Sequence, residues 1–173
     1  AREAARRSQS ASNLSMIGLA IHNFSDENSG ILPPAARRRP SDRKPLLSWR
    51  VLILPYLGYG ELYDEFQLDE PWDSEHNRAL IERMPDVYRS PNGGLPEGQT
   101  NFLIVEHPSG VFADLKGISL GEAHDPNEDT VMVVEADEDR AVPWTKPADL
   151  VFDPAAPMSG LGGLRPSGFN CLY

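Results

Sequence analysis

Leu14-Ser15-Met16-Ile17-Gly18-Leu19-Ala20-Ile21-His22-Asn23-Phe24 sets Leu14, Ile17, Ile21 and Phe24 at spacings of three, four and three residues. That rhythm puts the four side chains on one face of an α-helix. The pattern predicts a helix over residues 2–24, stopped by Asn28-Ser29-Gly30 and kept from resuming by Pro33-Pro34. Its second half carries the stripe and needs a globular body to bury it, because a lone amphipathic segment is marginal in water. The first turns, Ala1-Arg2-Glu3-Ala4-Ala5-Arg6-Arg7, are almost free of large apolar groups and are expected to stand exposed. A start in mid-helix reads as a segment cut from something longer.

Working outward, residues 30–47 read as an extended loop rich in Pro and Arg. Ser48 is placed to cap a short helix from Trp49 to Leu54, limited by Pro55. Gly58 and Gly60 mark a turn, and Glu61–Phe66 another helical turn. Asp73 or Ser74 caps a helix over 74–84 that Pro85 ends. Ser90-Pro91-Asn92-Gly93-Gly94 is turn chemistry. Thr100–Glu106 and Thr130–Ala136 are short, β-branched apolar runs that read as strands buried on both faces, and Phe169–Tyr173 reads as a last strand. Helices first and strands after them predict an α+β fold, a long N-terminal helix on an antiparallel sheet. With no repeat and no clean boundary, residues 1–173 read as one domain. Its parts are a helix over 1–28, inserted short helices over 48–84 and a mainly β region over 100–173. Sixteen prolines and 14 glycines imply long ordered loops.

Charge is unevenly spread. Residues 1–50 hold nine Arg/Lys against four Asp/Glu, and residues 51–173 hold seven against 22, for a net charge of −10. An acidic body argues against nucleic acid, which needs clustered cations for its phosphates. The basic residues form two groups, Arg2/Arg6/Arg7 and Arg37–Arg39 with Arg43 and Lys44. The plain reading is solvated basic segments, and the sharper one is that the basic end meets an acidic neighbour in an assembly. The single cysteine, Cys171, has no internal partner and reads as a small buried hydrophobe. No apolar run approaches the ~18–20 residues that span a bilayer.

The residues that carry chemistry are sparse. His22, His76, His107 and His124 stand at no metal-ligand spacing and read as surface or hydrogen-bonding groups. No nucleophile elbow, phosphate loop or dinucleotide fingerprint is present. Asp125-Pro126-Asn127-Glu128-Asp129 offers oxygens at alternate positions, so Asp125, Asn127 and Asp129 are candidate calcium ligands. Thr130 stands where the calcium loop needs Gly, and Ala136 where it needs a bidentate Glu, so a polar turn is the plainer reading. Glu135, Asp137, Glu138 and Asp139 are read as a solvated acidic turn, with paired catalytic carboxylates as the rival. Trp49, Tyr56, Tyr59, Tyr63, Phe66 and Trp72 are expected to be mostly core.

The whole string from Ala1 to Phe24 resembles the segment that follows the membrane helix in planctomycete proteins with a prepilin-type leader and a domain of unknown function, sometimes labelled solute-binding. Four further stretches resemble the same family: Leu47–Leu57, Asp69–Asn77, Val142–Leu150 and Gly162-Gly163 onward. The resemblance implies a pilin-like or pseudopilin-like head, displayed at the cell envelope through an apolar helix preceding Ala1. It also implies other pilin-like subunits or envelope proteins as partners, and no catalysis. Arg2, Arg6 and Arg7 then face neighbours, and Leu14, Ile17, Ile21 and Phe24 face the protein's own body. The head alone is expected to be monomeric and to need no cofactor, calcium excepted. Relatives often carry Cys where this chain has Ser10 and Ser90, which implies that those positions meet in space. Their C-terminal signature has a His where Arg165 stands here. A solute-, glycan- or calcium-binding module is the first rival, marked by a pocket with Trp72 or Trp144 in its wall. A hydrolase is the second.

Overall fold

The structure is a computed structural model and describes residues 1–107, 131–165 and 167–173. Helix α1 spans Arg2–Glu27, about 39 Å at 1.5 Å per residue. The backbone N–H of Asn28 reaches Phe24 O and Ser25 O, Gly30 N–H reaches Ser25 O, and Gly30 is left-handed (φ +81°). A left-handed residue after the last turn is what satisfies the open carbonyls of a helix end. Leu14, Ile17, Ala20 and Ile21 are buried, whereas residues 1–9 are exposed.

Residues 30–47, expected as open loop, contain a hairpin: strands β1 (Ala36–Arg38) and β2 (Pro45–Ser48) pair antiparallel. Ser48 then caps α2 (Trp49–Leu52), accepting the Arg50 N–H at 3.2 Å. The helical region continues as a 3-10 turn (Leu54–Leu57), α3 (Gly60–Glu65) and α4 (Glu75–Ala79). Ser74 caps α4 and accepts from Asn77 N at 3.1 Å. The helix predicted over 74–84 is thus shorter. It passes through Leu80, which turns into the core, and resumes as a 3-10 turn over Ile81–Arg83. That break leaves the Ile81 carbonyl free to accept Trp144 Nε1 at 2.9 Å.

The β region is built of short strands: β3 (Gln99–Thr100), β4 (Phe102–Glu106), β5 (Val133–Glu135), β6 (Val142–Pro143), β7 (Leu150–Val151) and β8 (Cys171–Leu172). β3 pairs with β6, and a four-stranded sheet runs β7-β4-β5-β8. The expectation of an antiparallel sheet is corrected at one edge, where β7 runs parallel to β4. Along β4 and β5 the pleat sends alternate side chains to opposite faces. Phe102, Ile104 and Val133 join the main core with Ile17, Ile21, Trp49 and Trp144, and Leu103, Val134 and Leu150 form a second cluster behind. β8 docks on α1 at Gly18, where an added Cβ would stand 2.7 Å from a Leu172 methyl. Of the six aromatics expected to be mostly core, Trp49 and Phe66 are buried, Tyr56, Tyr63 and Trp72 are half-buried against the core, and Tyr59 is exposed, while Tyr88 and Trp144 join the core stacked at 5.9 Å. The chain is therefore mixed α+β, a long N-terminal helix against small, mainly antiparallel sheets.

Candidate functional site

Among the sequence-selected residues, Arg2, Arg6 and Arg7 lie on the bare turns of α1. Leu14, Ile17 and Ile21 lie under the body at no more than 3% exposure, and Phe24 is half-buried with its edge on Tyr56 at 5.6 Å. Asp125, Asn127 and Asp129 fall outside the described residues, as does His124. Among the described residues no cluster of His, Cys, Asp and Glu is arranged to hold a metal. His76 stands at the surface, 2.7 Å from Glu65 O. Trp144 is shut inside the core, and Trp72 is half-buried with Lys146 Nζ at 5.5 Å over its ring.

Two buried ion pairs were not foreseen. The first corrects the reading of the acidic turn. Glu135 lies at the end of β5 on the α1-facing side, paired with Phe102, and is fully buried. Arg165 grips it with two nitrogens, at 2.6 Å to Oε2 and 3.0 Å to Oε1. Ser10 Oγ donates to Oε1 at 2.7 Å, and Asn170 Nδ2 donates to Oε2 at 3.1 Å. Arg165 Nε stands 3.0 Å from Glu3 on the exposed turns of α1. Glu135's hydrogen bonds raise the Arg165 pKa above its ordinary value, with Glu3 adding to them, so the guanidinium keeps its charge. Ser10 and Ser90 are both buried, and Asn92 Nδ2 links their surroundings, 3.4 Å from Ser90 Oγ and 3.4 Å from Glu135 Oε1.

The second pair is Arg50–Asp149, 2.6 Å apart and fully enclosed. The Arg50 guanidinium donates to Phe102 O, Ser48 Oγ, Lys146 O, Ala148 O and Asp149 Oδ1, tying α2 to β4 and to the strand entering β7. Asp149 Oδ1 also accepts Trp49 Nε1 at 3.2 Å and Ile104 N at 3.0 Å. Its Oδ2 has no partner among the described residues. Burial with one bare oxygen pushes the Asp149 carboxyl up to about 6, against the opposing pull of Arg50. Both pairs have their partners on different segments and no open face, which is the architecture of a staple.

An open concavity lies elsewhere among the described residues. A cleft of ≈ 360 Å³ is lined by Phe24 of α1, Pro34, Ala36, Arg37 and Arg38 on and before β1, Arg43 of the hairpin turn, Leu52 of α2 and Tyr63 of α3. The hairpin is what brings the arginines to it. Arg39 N–H bonds to Lys44 O at 2.9 Å, Arg43 N–H to Arg39 O at 2.9 Å, and Arg43 adopts a left-handed φ of +60°. Asp42 fixes the turn from below, accepting Lys44 N at 3.1 Å and Arg39 Nη1 at 3.0 Å. The Lys44 N–H, helped by Arg39, holds the Asp42 carboxyl below the usual range. Sequence reasoning saw this basic group but read its setting as loop, because the strands are three and four residues long and carry Arg-Arg and Pro.

The fold and its sites define a class: a mixed α+β domain built along a half-exposed helix, stapled by buried ion pairs and opening a basic cleft. The chain belongs to the family described as protein of unknown function (DUF1559), also designated SBP_bac_10, whose model matches residues 1–93. No curated protein and no solved structure matches the chain. Among the described residues no helix is long and apolar enough to cross a membrane.

Proposed function

We propose that the chain is a non-enzymatic, pilin- or pseudopilin-like head of the planctomycete type it resembles, displayed at the cell envelope and working through its surfaces. One observation carries this reading. The 26 residues of α1 divide into an exposed run of eight, residues 2–9, touched only by Arg165 at Glu3 and Asn170 at the Arg7 carbonyl among the contacts of the described residues, and a second half sunk into the body. Tertiary packing is what normally stabilises a helix, so one whose first two turns bury no apolar surface offers those turns for contact. Arg2, Arg6 and Arg7 give that stretch a basic surface on a protein of net charge −10, so an acidic flank of a neighbouring subunit is the complementary contact. Other pilin-like subunits or envelope proteins are the partners on this reading, and the head by itself is monomeric.

The test uses the natural protein in the cell that makes it. Fractionation should place it in the envelope, and single cysteines at positions 2 and 6, introduced with Cys171→Ser, should cross-link into multiples of the subunit. Recovery in the cytoplasmic supernatant, or monomer alone after cross-linking, overturns the reading.

A further inference from the structure

The hairpin cleft holds a combination that the display reading does not use. Three arginines line it, and among the described residues only Arg37 is neutralised. Arg37 donates Nε–H to Leu68 O at 2.8 Å and pairs with Asp69 at 3.2 Å. Arg38 donates one N–H to Arg43 O at 3.1 Å. Among the described residues no carboxylate lies within ion-pair distance of Arg38 or Arg43. The remaining N–H groups of these two guanidinium forks are therefore free to receive a ligand. On a chain with 26 acidic and 16 basic residues, two uncompensated arginines at one concavity are a local inversion of charge. Such inversions focus anions.

The walls add a second requirement. Phe24, Pro34, Leu52 and Tyr63 are apolar or aromatic, and a cleft lined only for solvated cations needs none of them. Of the two acids that follow Phe24, Asp26 is exposed and Glu27 has an oxygen taken by the Tyr56 hydroxyl at 2.9 Å. Small-ligand sites combine apolar walls with a few convergent polar groups in about 300–1,000 Å³, and ≈ 360 Å³ is room for a single ring and its anionic group. The left-handed Arg43 is part of the same device. A non-glycine residue in that region is held there by its surroundings, and here the Asp42 turn holds it on the cleft rim.

We propose that this cleft binds a small oxyanion-bearing compound, with its carboxylate or phosphate ester held by Arg38 and Arg43 and its planar or apolar remainder held against Phe24, Pro34, Leu52 and Tyr63. The guanidinium fork matches both oxyanions, each of which can take two parallel hydrogen bonds. Phosphate, with the higher charge, gains more from two arginines than carboxylate does.

The experiment is a calorimetric titration of the full chain with benzoate, phenyl phosphate and inorganic phosphate, followed by amide chemical shifts. One saturable site is expected for benzoate, phenyl phosphate or both, with shifts confined to residues around 24, 34–43, 52 and 63. The tighter of the two names the oxyanion. Inorganic phosphate should bind more weakly than phenyl phosphate. Arg38→Gln/Arg43→Gln should weaken binding by about tenfold or more. Its melting temperature without ligand should stay unchanged, because neither side chain closes an ion pair. Arg38→Lys should recover part of the loss. Three results overturn the proposal: no saturable binding of either aryl probe up to about 10 mM, affinity undiminished in the double variant, or inorganic phosphate binding as tightly as phenyl phosphate.

Discussion

Glu135 and Arg165 stand 30 residues apart in sequence and share one buried site with Ser10, 125 residues from Glu135. Removing one partner leaves the other charge enclosed and unpaired, which costs about 3–5 kcal/mol. Arg165→Met should therefore lower unfolding free energy by about that amount in urea. Pairing it with Glu135→Leu should recover much of the loss, and a double variant no better than the single one would show that Ser10 and Asn170 carry the site instead. Asp149 offers a second test, through pH. Its folded pKa is about 6 and its ordinary value 3.8, so the folded chain binds this proton more tightly than the unfolded chain. The corresponding stability is fully present below pH 3.8 and is lost as pH rises through about 6. Measured against Asp149→Asn, the wild-type protein should lose stability between about pH 4 and 6. A difference that grows over that range would show that Arg50 has instead pulled the pKa down. Both pairs left a trace in the sequence. Arg50 interrupts the apolar string Leu46–Leu54, and Glu135 follows Val131–Val134. A lone charge that periodicity sends inward must have a partner, but a partner 99 or 30 residues away has no local signal.

At the scale of elements, α1 was legible because its stripe repeats over several turns and its stop signals agree with its packing. Its two halves should differ in opening. Amides of residues 5–9 should exchange about a hundredfold faster than those of 14–21, since local stability follows buried contacts. Equal protection would mean that Arg165–Glu3 and the Asn170 bond to Arg7 O clamp the outer turns as firmly as the core does. The shorter elements were less legible because a single residue organises each. Asn77 is fully buried at the end of α4's first turn, its side-chain amide donating to Gln67 O, Glu70 O and Pro71 O and its carbonyl accepting Gln67 N–H. That one side chain holds the loop before α4 in place, a role no periodicity announces. Gly98 does the same work through its backbone. It is left-handed (φ +75°), its carbonyl accepts Trp144 N–H at 2.9 Å, and an added Cβ would lie 3.0 Å from Ile81 O. Gly98→Ala should cost more than the ~1 kcal/mol of a simple left-handed penalty, read as a fall in the denaturation midpoint.

Across the whole molecule, the stretch that carries the family match does not close on itself. Within residues 1–93, Ser10 answers to Glu135, Arg50 to Asp149, Ser48 N–H to Thr145 O, and Tyr88 to the face of Trp144. A fragment of residues 1–93 should consequently lack a cooperative melt and dispersed amide resonances, because it exposes the apolar faces of α1 and α2 and two unpaired buried groups. A fragment that melts cooperatively would mean that the first half is a folding unit to which the strands are added.

The order in which these contacts become possible has its own effect in the cell. Arg165 reaches Ser10 across 155 residues, and a ribosome adds about 5–20 residues per second. For about 8–30 s after Ser10 is made, this long-range fastening does not yet exist. During that interval the side of α1 at Gly18, which Leu172 of β8 covers in the finished fold, has no strand against it. A feature that reads as a staple in the finished molecule is thus also a timer, joining the first turns of the helix to the rest of the chain only when translation is nearly complete.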